Sequence, residues 1–360
     1  MRENRLVSLD VFRGVTIAAM ILVNSSGDDA YIQLKHAPWH GWTFADMVFP
    51  FFLWIIGVAM VFSFRKRFEQ GTDKKKIFLH ILRRSVILFA LGLFLNAFPF
   101  FNLSTIRIPG VLQRIAVCYF VASIIFLNTK LRGQIVWTVI VLTGYWFLLK
   151  LVPVPGFGAG ALEQDANLAL YIDQLLLKGH LLFTTWDPEG VVSTLGAIAT
   201  VLFGILTGQL LISDNVKKKT FWMFTGGAGL VLVGLVTNIW LPINKNLWTS
   251  SYALYMAGLA LFIFSIFYFV IDVKGYKNWS KPFAIYGVNA LFVYMLSVFA
   301  TNLLMIINIG GTSLWDSIYK NLNLSFSGPK NASLIFGIAS VLALYGVAYL
   351  MYRKKWFIKI

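Results

Sequence analysis

Long apolar runs separated by short polar segments dominate the chain. Each run is about 20 residues long, which is the length that a helix needs to cross a bilayer. Because backbone polar groups in lipid must be hydrogen-bonded within the segment, each run is expected to be a helix. The pattern predicts spans at 6–24, 44–64, 77–97, 109–128, 133–152, 191–212, 220–240, 250–271, 281–304 and 333–352. The predicted fold class is therefore all-α, a polytopic membrane helical bundle with both ends on one side.

The composition also indicates a membrane protein. Hydrophobic residues make up 58% of the 360 residues, charged residues make up 13%, and the mean hydropathy is +0.73. Soluble domains carry about 25% charged residues, so the composition excludes an ordinary soluble protein. No small-residue cleavage pattern follows the first apolar run, which predicts a retained helix rather than a signal peptide.

The basic residues alternate between the two sides of the predicted bundle. Most of the 31 lysines and arginines fall in the segments 2–5, 65–84, 130–132, 217–219, 274–281 and 353–359. The other connections hold most of the acidic residues, from Asp28 to Asp316. Since cytoplasmic loops carry the excess of basic residues, both termini are predicted to be cytoplasmic. The longest connection, 153–190, then lies outside as a folded cap, and residues 1–360 are predicted to form one domain.

The formal net charge of +16 mainly reflects this topology. Basic loops at the inner surface are expected to contact anionic lipid headgroups, so membrane lipid is a predicted partner. The basic residues lie in short and separate loops rather than on one continuous face. The sequence therefore does not predict nucleic acid as a partner.

Charged residues inside a predicted span are costly and usually functional. The first span contains Asp10 and Arg13, which are three residues apart and so share one helix face in its cytoplasmic half. Two interpretations are open. Either the two side chains form a structural ion pair or reach the inner surface, or they line a polar pocket for a charged ligand from the cytoplasm.

The fourth span opens with Arg107-Ile-Pro-Gly-Val-Leu-Gln-Arg114. At about 1.5 Å per residue, Arg114 lies on the order of 10 Å deeper than Arg107, too deep for a surface arginine. Gln113 and Arg114 are therefore candidates for binding a carbonyl, a carboxylate or a diphosphate. In the alternative interpretation, Asp46 or another carboxylate of the protein neutralises Arg114.

Two further polar segments fall at the predicted outer end of the bundle. Trp186-Asp-Pro-Glu-Gly190 precedes the sixth span, and Leu241-Pro-Ile-Asn-Lys-Asn-Leu-Trp248 precedes the eighth. Asp187 is either a binding residue or the N-cap of the sixth helix. Asn244 is either a binding residue or a turn former, and Trp248 either a binding residue or part of the interfacial aromatic belt.

A histidine and a carboxylate flank the start of the second span. His36 precedes this span, Asp46 begins it, and Asn24 ends the first span, so the three are expected to converge outside. Imidazole suits proton transfer near neutrality, a carboxylate can orient it, and an amide can donate to an oxyanion. Zinc binding by His36 and His40 is disfavoured because Pro38 lies between them and no third ligand is near. No metal is predicted.

Together these segments resemble a known family. Leu6-Val-Ser-Leu-Asp-Val-Phe-Arg-Gly14, Asn24 and the segment from His36-Ala-Pro-Trp-His-Gly-Trp to Phe52 are similar to the heparan-α-glucosaminide N-acetyltransferase family. Ile108-Pro-Gly-Val-Leu-Gln-Arg114, Asp187-Pro-Glu-Gly190 and the segment 241–250 resemble later blocks of that family, in the same order. The chain begins at the Ser-Leu-Asp helix, without the extra N-terminal region of the animal member, and so resembles the compact bacterial branch.

The resemblance implies a bacterial inner-membrane acetyltransferase that moves an acetyl group from cytosolic acetyl-CoA to an amino-sugar or glycan acceptor on the far side. It implies that His36 is the catalytic histidine, as general base or acyl carrier, and that Asn24 is a second catalytic residue. Asp46 is expected, from its residue type and position, to orient the imidazole or to balance its charge. The resemblance also implies a homodimer. The predicted donor-binding residues are Asp10, Arg13, Gln113 and Arg114, and the predicted acceptor-binding residues are Trp39, Asp187, Glu189, Asn244 and Trp248.

A transporter or flippase for a small polar or glycan substrate is the alternative from a different class. Ten helices with polar residues inside the membrane also suit transport. Against it, the sequence contains no inverted repeat and no matched pair of interrupted helices. A non-catalytic scaffold is disfavoured, since charged residues buried inside spans would be costly without a function.

Overall fold

The computed structural model describes residues 6–27, 29–214, 217–325 and 328–358. The topology predictions for Arg2, Arg5, Asp28 and Lys359 lie outside these residues. The described chain is predominantly helical. Its helices are α1 (Val7–Asn24), α2 (Phe44–Glu69), α3 (Lys74–Ala97), α4 (Val111–Asn128), α5 (Leu131–Leu151), α6 (Leu168–Leu177), α7 (Thr194–Ile212), α8 (Lys219–Thr237), α9 (Ser250–Tyr268), α10 (Lys281–Val288), α11 (Ala290–Ile306), α12 (Leu314–Ser325) and α13 (Pro329–Arg353).

The strands of the described chain form only short antiparallel hairpins. They pair β1 (Pro153–Val154) with β2 (Gly158–Ala159), β3 (Leu162–Glu163) with β4 (Ala166–Asn167), and β5 (Asn308–Ile309) with β6 (Thr312–Ser313). Two 3₁₀ turns, Ile32–Leu34 and Asn278–Ser280, and one π-helical turn, Phe269–Val273, complete the regular structure.

Nine helices of the described chain are long and apolar enough to cross a membrane. They agree within a few residues with nine of the predicted spans, which confirms the all-α polytopic class. The largest difference is at the end of α2, which continues as helix to Glu69 instead of ending at residue 64, and α3 likewise begins within the charged segment, at Lys74. Lysine and arginine end the apolar run, but they are good helix formers and do not end the helix.

The ninth predicted span, 281–304, differs from the prediction because it is not one straight helix. The segments Asn278–Val288 and Ala290–Ile306 meet at an angle of 69°, and counting this bent pair as one span gives ten. Asn289 lies at the break. Its amide donates to the Trp356 carbonyl at 2.9 Å and accepts from the Ile358 N–H at 3.0 Å. The break is thus stabilised by the C-terminal segment, which is distant in sequence.

The described chain divides into two compact units. Unit 1 comprises the described parts of Met1–Pro38, Trp42–Phe52 and Ile266–Lys359. In this unit α1 packs against α10, α11 and α13. A β-carbon at Gly287 would lie 2.0 Å from the Asp10 carbonyl oxygen, so the backbones of α1 and α10 are in direct contact. At the start of α1, the Ser8 N–H donates to the Asp272 carboxylate at 3.1 Å.

Unit 2 comprises Trp39–Gly41 and the described parts of Leu53–Ser265. Here α3 packs against α4, and α7 packs against α4 and α5. The connection 153–190 is folded, as expected, into β1 to β4 and α6. It covers an apolar cluster that includes Tyr145, Leu149 and Leu247. Whether the whole chain behaves as one domain stays a prediction.

We expect the close contact between α1 and α10 to tolerate no added methyl group. Replacing Gly287→Ala would force the helices apart and lower the free energy of unfolding by about 1–3 kcal/mol, the usual cost of overpacking. Thermal unfolding of purified protein in detergent measures the effect. Gly346→Ala, in α13 of the same unit, is the matched control because nothing lies within 4 Å of its added carbon. Equal unfolding temperatures for the two variants would contradict this account.

Candidate active site

The start of α2 is held by a single acidic side chain. Asp46 lies in the first turn of the helix, and its Oδ2 accepts from the Thr43 N–H at 3.0 Å and the Thr43 hydroxyl at 3.2 Å. The Gln33 side chain accepts from the Phe44 N–H at 3.1 Å. A helix start leaves backbone N–H groups without partners inside the helix, and these side chains satisfy two of them.

The same carboxylate binds His36. Asp46 Oδ1 lies 2.7 Å from His36 Nδ1, and Asp46 Oδ2 also accepts from the Ala37 N–H at 2.9 Å. The Asp46 side chain is 1% exposed, whereas the His36 side chain is 50% exposed. A buried carboxylate therefore anchors an imidazole that solvent or a substrate can reach.

This pair has the geometry of a base and its orienting group. Because the carboxylate accepts the hydrogen bond, the proton of a neutral His36 lies on Nδ1, and Nε2 carries the lone pair that can take a proton. The hydrogen bond also fixes the orientation of the ring. The structure therefore brings together two of the three predicted catalytic residues.

The third predicted catalytic residue, Asn24, is the last residue of α1 and is exposed. Its side chain forms no hydrogen bond within the described part of the chain. An exposed amide at a helix end can donate to an oxyanion, but its catalytic role stays a prediction.

Asp10 and Arg13 form the pair that their spacing indicated. Arg13 Nη1 lies 3.3 Å from Asp10 Oδ1 and donates to the Gly287 carbonyl at 3.3 Å. The Asp10 residue is buried and Arg13 is half-buried. The ion pair and the contact with α10 fit the structural interpretation, and a role in donor binding stays a prediction.

Gln113 and Arg114 lie in the first turn of α4, in unit 2, and both are buried. Arg114 is 2% exposed, and its Nη2 donates to the Gly190 carbonyl at 3.1 Å and to the Ser193 hydroxyl. Its guanidinium carbon lies 5.1 Å from the centroid of the Trp248 ring. Arg114 Nε and Nη1 and Gln113 Nε2 have no hydrogen-bond partner among the described residues.

Arg114 forms no direct ion pair among the described residues of its own unit, although its charge acts on the nearby Asp173 carboxylate. Its partners there are a carbonyl, a hydroxyl and an aromatic face, none of which carries a full negative charge. The alternative in which a carboxylate of unit 2 pairs with Arg114 is therefore not observed within the described residues. The N–H groups without partners keep Gln113 and Arg114 as candidates for binding an anionic or carbonyl oxygen.

Asp187 and Glu189 bind Arg107. The Arg107 guanidinium donates to the two Asp187 oxygens at 2.8 and 2.7 Å and to Glu189 Oε2 at 2.5 Å. Burial disfavours the charged guanidinium, but the hydrogen bonds and the two negative charges outweigh it and raise the pKa of Arg107. Asp187 also accepts from the Leu182 N–H at 2.8 Å. It does not cap the following helix, which begins at Thr194.

Trp39 and Asn244 anchor the loops of unit 2. The Trp39 indole donates to the Leu162 carbonyl at 2.8 Å and packs edge-on against Trp186. The Asn244 amide donates to His40 Nδ1 at 3.3 Å, and its oxygen accepts from the Leu247 N–H at 2.8 Å. Burial lowers the pKa of His40, although the charge of Glu163 acts in the opposite direction. Asn244 is thus a turn former, and its predicted role in binding is untested.

Trp248 is not a residue of an exposed aromatic belt. It is 0% exposed, and its indole donates to the Thr200 hydroxyl at 3.0 Å. A β-carbon at Gly196 would lie 2.0 Å from the Trp248 carbonyl oxygen, so the loop packs directly on α7. Any contact of Trp248 with a ligand would come through its ring face, where Arg114 already lies.

Sequence reasoning missed two residues that organise these sites. Thr43 completes the motif Thr43-Phe-Ala-Asp46, a threonine followed three residues later by an acid, and this motif could have been found as a helix N-terminus. Arg107 pairs with Asp187, which is 80 residues away. No local pattern reveals that pair.

Comparison with known proteins gives a consistent result. The family model for the catalytic region of heparan-alpha-glucosaminide N-acetyltransferase matches residues 5–235. Over 415 aligned positions the chain is 30% identical to heparan-alpha-glucosaminide N-acetyltransferase of Homo sapiens, with 99% of this chain and 60% of the relative covered. For the protein of the same name from Mus musculus the identity is 29% over 416 positions, with 99% and 61% covered. The chain thus spans about three fifths of the length of these relatives.

We expect Arg107→Gln to destabilise the protein strongly. The substitution leaves the buried Asp187 carboxylate without its cation, which typically costs about 3–5 kcal/mol. Thermal unfolding in detergent measures the loss. Arg65→Gln is the control, because Arg65 forms an exposed pair with Glu69 that is expected to contribute about 0–1 kcal/mol. If both variants unfolded at the same temperature, Arg107 would not have the structural role described here.

Proposed function

This chain belongs to the heparan-alpha-glucosaminide N-acetyltransferase catalytic family, and on that premise we propose that it is a membrane acetyltransferase. The proposed reaction moves an acetyl group from acetyl-CoA on the cytoplasmic side to an amino sugar or glycan on the other side of a bacterial inner membrane. The observation that carries the proposal is the hydrogen bond between His36 and the buried Asp46. It supplies a candidate general base whose carboxylate partner is not shared with the ion pairs of Arg13, Arg65 or Arg107.

His36 is proposed to act through Nε2. The acceptor amine attacks the carbonyl carbon of the acetyl thioester, and a C–N bond begins to form. Nε2 takes the proton that the nitrogen loses, which makes the amine a competent nucleophile at the moment of attack. Asp46 holds the ring in place and stabilises the resulting imidazolium.

Collapse of the tetrahedral intermediate breaks the C–S bond. The imidazolium returns its proton to the leaving thiolate, so the products are the N-acetylated acceptor, free CoA and the original His36. The negative charge on the intermediate needs a hydrogen-bond donor. The Asn24 amide, at the end of α1 in the same unit, is the proposed donor.

A covalent route uses the same residues. In it, His36 Nε2 attacks the thioester first, CoA leaves, and the acetylated imidazole then passes the acetyl group to the acceptor. The high exposure of the ring supports either route, since both require that a substrate reach Nε2. An acetyl group found on His36 after incubation with donor alone would favour the covalent route, and strictly sequential kinetics would favour direct transfer.

Donor binding is proposed for two groups of residues, each within its own unit. In unit 1, Arg13 and Asp10 would bind polar groups that enter from the cytoplasm. In unit 2, Gln113 and Arg114 would bind carbonyl or anionic oxygens of the donor through their N–H groups that lack a partner. Acceptor binding is proposed for Trp39, Asp187, Glu189, Asn244 and Trp248.

A transporter or flippase remains the second candidate because one observation favours it. The α10 and α11 pair is a broken helix, and broken membrane helices bind substrates and ions in many transporters. Such breaks usually occur as matched pairs in two repeats. The described chain contains one bent pair by this criterion, so the enzyme is the better supported candidate.

We expect His36→Ala to lower acetyl transfer by about a hundred- to ten-thousandfold, the usual contribution of a general base. Transfer from radiolabelled acetyl-CoA to glucosamine and related amines, by purified protein in lipid nanodiscs, measures it. In Asp46→Asn, the side-chain oxygen can still accept from the N–H groups of Ala37 and Thr43. The side-chain NH₂ group, however, replaces the oxygen that accepts the hydrogen bond from His36 Nδ1. The variant should therefore stay folded, lose activity to a similar degree and show an altered pH–rate profile.

His180→Gln is the matched control, because His180 is a loop histidine whose Nδ1 binds the Ile106 carbonyl and which has no role in the proposed reaction. It should keep the wild-type rate. A folded His36→Ala protein with full transfer activity would refute the assignment of the base. Solute movement into proteoliposomes that persists in His36→Ala, without any thioester turnover by the wild type, would favour the transporter.

A further inference from the structure

A group of basic side chains in unit 2 includes none of the residues assigned above. It comprises Arg67 at the end of α2 and His80 and Arg84 on one face of α3, and we call it the basic cluster. Arg67 Nη2 lies 2.8 Å from His80 Nε2. Since a guanidinium can only donate, His80 Nε2 must accept, and His80 is neutral in this arrangement.

Arg84 is held in a fixed orientation. Its guanidinium carbon lies 4.6 Å from the centroid of the Tyr119 ring, so the side chain stacks on an aromatic face of α4. Its Nε is buried and has no hydrogen-bond partner among the described residues, and neither has the hydroxyl of the adjacent Ser85. Arg84 lies ten residues from the start of α3, about 15 Å along the helix. A polar group left without a partner there is costly.

The charge of the basic cluster is not balanced by the protein. Within the described residues, no carboxylate forms an ion pair with Arg67, Arg83 or Arg84. The nearby Glu69 pairs with Arg65 at 2.7 Å. The positive charges of Arg67, Arg83 and Arg84 all act on His80, and the first turn of α3 adds three lysines, 74–76. Like charges gathered around a buried N–H group without a partner, that of Arg84 Nε, indicate a site for an anion.

We propose that the basic cluster binds a phosphate group. Guanidinium groups match phosphate oxygens through paired N–H donors, and stacking on Tyr119 orients one such group in advance. His80 could add a further charged donor by taking a proton when a dianion binds. The phosphate oxygens would give Arg84 Nε the acceptor that it lacks.

Two ligands carry this chemistry to the basic side of a membrane protein. One is the nucleotide end of the acyl donor, and this source rests on the proposed function. The other is the headgroup of an anionic phospholipid, which would bind whatever the protein catalyses. Both would place phosphate oxygens on the same three side chains.

The experiment uses the full chain in nanodiscs and two variants, Arg84→Gln and Arg67→Gln. Arg65→Gln is the matched control, because it removes the same charge from the same helix pair but from an arginine already neutralised by Glu69. One arm measures the affinity for CoA and for 3′-dephospho-CoA in neutral phosphatidylcholine. The other measures the gain in thermal stability on replacing phosphatidylcholine by phosphatidylglycerol. Size-exclusion profiles confirm that each variant is folded.

A nucleotide phosphate in the cluster predicts that both variants bind CoA about tenfold more weakly while Arg65→Gln is unchanged, since a charge-assisted hydrogen bond is typically worth at least that factor. A smaller loss for 3′-dephospho-CoA would assign the 3′-phosphate. A lipid phosphate predicts that both variants lose the stabilisation by phosphatidylglycerol but keep their affinity for CoA.

If both variants keep both the affinity for CoA and the stabilisation by phosphatidylglycerol, the proposal is overturned. If phosphatidylglycerol stabilised the wild type but neither cluster variant, and the wild type did not bind CoA, the phosphate site would stand and only the proposed function would be contradicted.

Discussion

One buried carboxylate, that of Asp46, holds the candidate active site together. Its two oxygens bind the imidazole of His36, the backbone of Ala37 and both the backbone and hydroxyl of Thr43. A carboxylate with so little exposure must be hydrogen-bonded to be stable. The need to satisfy this group fixes the helix start and the loop around it, and the same contacts fix the orientation of the histidine. Structure and chemistry therefore depend on the same few hydrogen bonds.

The fold was largely predictable because membrane helices are encoded locally. An apolar run long enough to cross lipid can satisfy its backbone only as a helix, so the run and the helix coincide. The break at Asn289 could not be predicted in this way. A single asparagine does not interrupt an apolar run, and its partners are the backbone groups of Trp356 and Ile358. The contact of Gly287 in α10 with α1 could not be predicted either, since a glycine in a sequence does not reveal which helix it contacts.

The candidate site was predictable to the extent that its chemistry is close in sequence. His36 and Asp46 are ten residues apart and meet across one loop, and their side-chain types already suggest a base and an orienting acid. Arg107 and Asp187 meet across 80 residues, and only the fold reveals that Asp187 binds a cation rather than caps a helix. Residue type alone left Trp248 as either a binding residue or part of the interfacial aromatic belt. Its complete burial follows from the close approach of Gly196, which is a property of packing and not of composition.

Three arginines of unit 2 show how charge is managed inside this protein. The charge of Arg107 is neutralised by two carboxylates, those of Asp187 and Glu189. Arg114 and Arg84 have aromatic faces instead, which orient a guanidinium and favour its charge but do not neutralise it. Both retain buried N–H groups without partners among the described residues. Stability alone would favour pairing or removing such groups. The N–H groups without partners at these two separate places in the unit are the observation on which both proposed ligand sites rest.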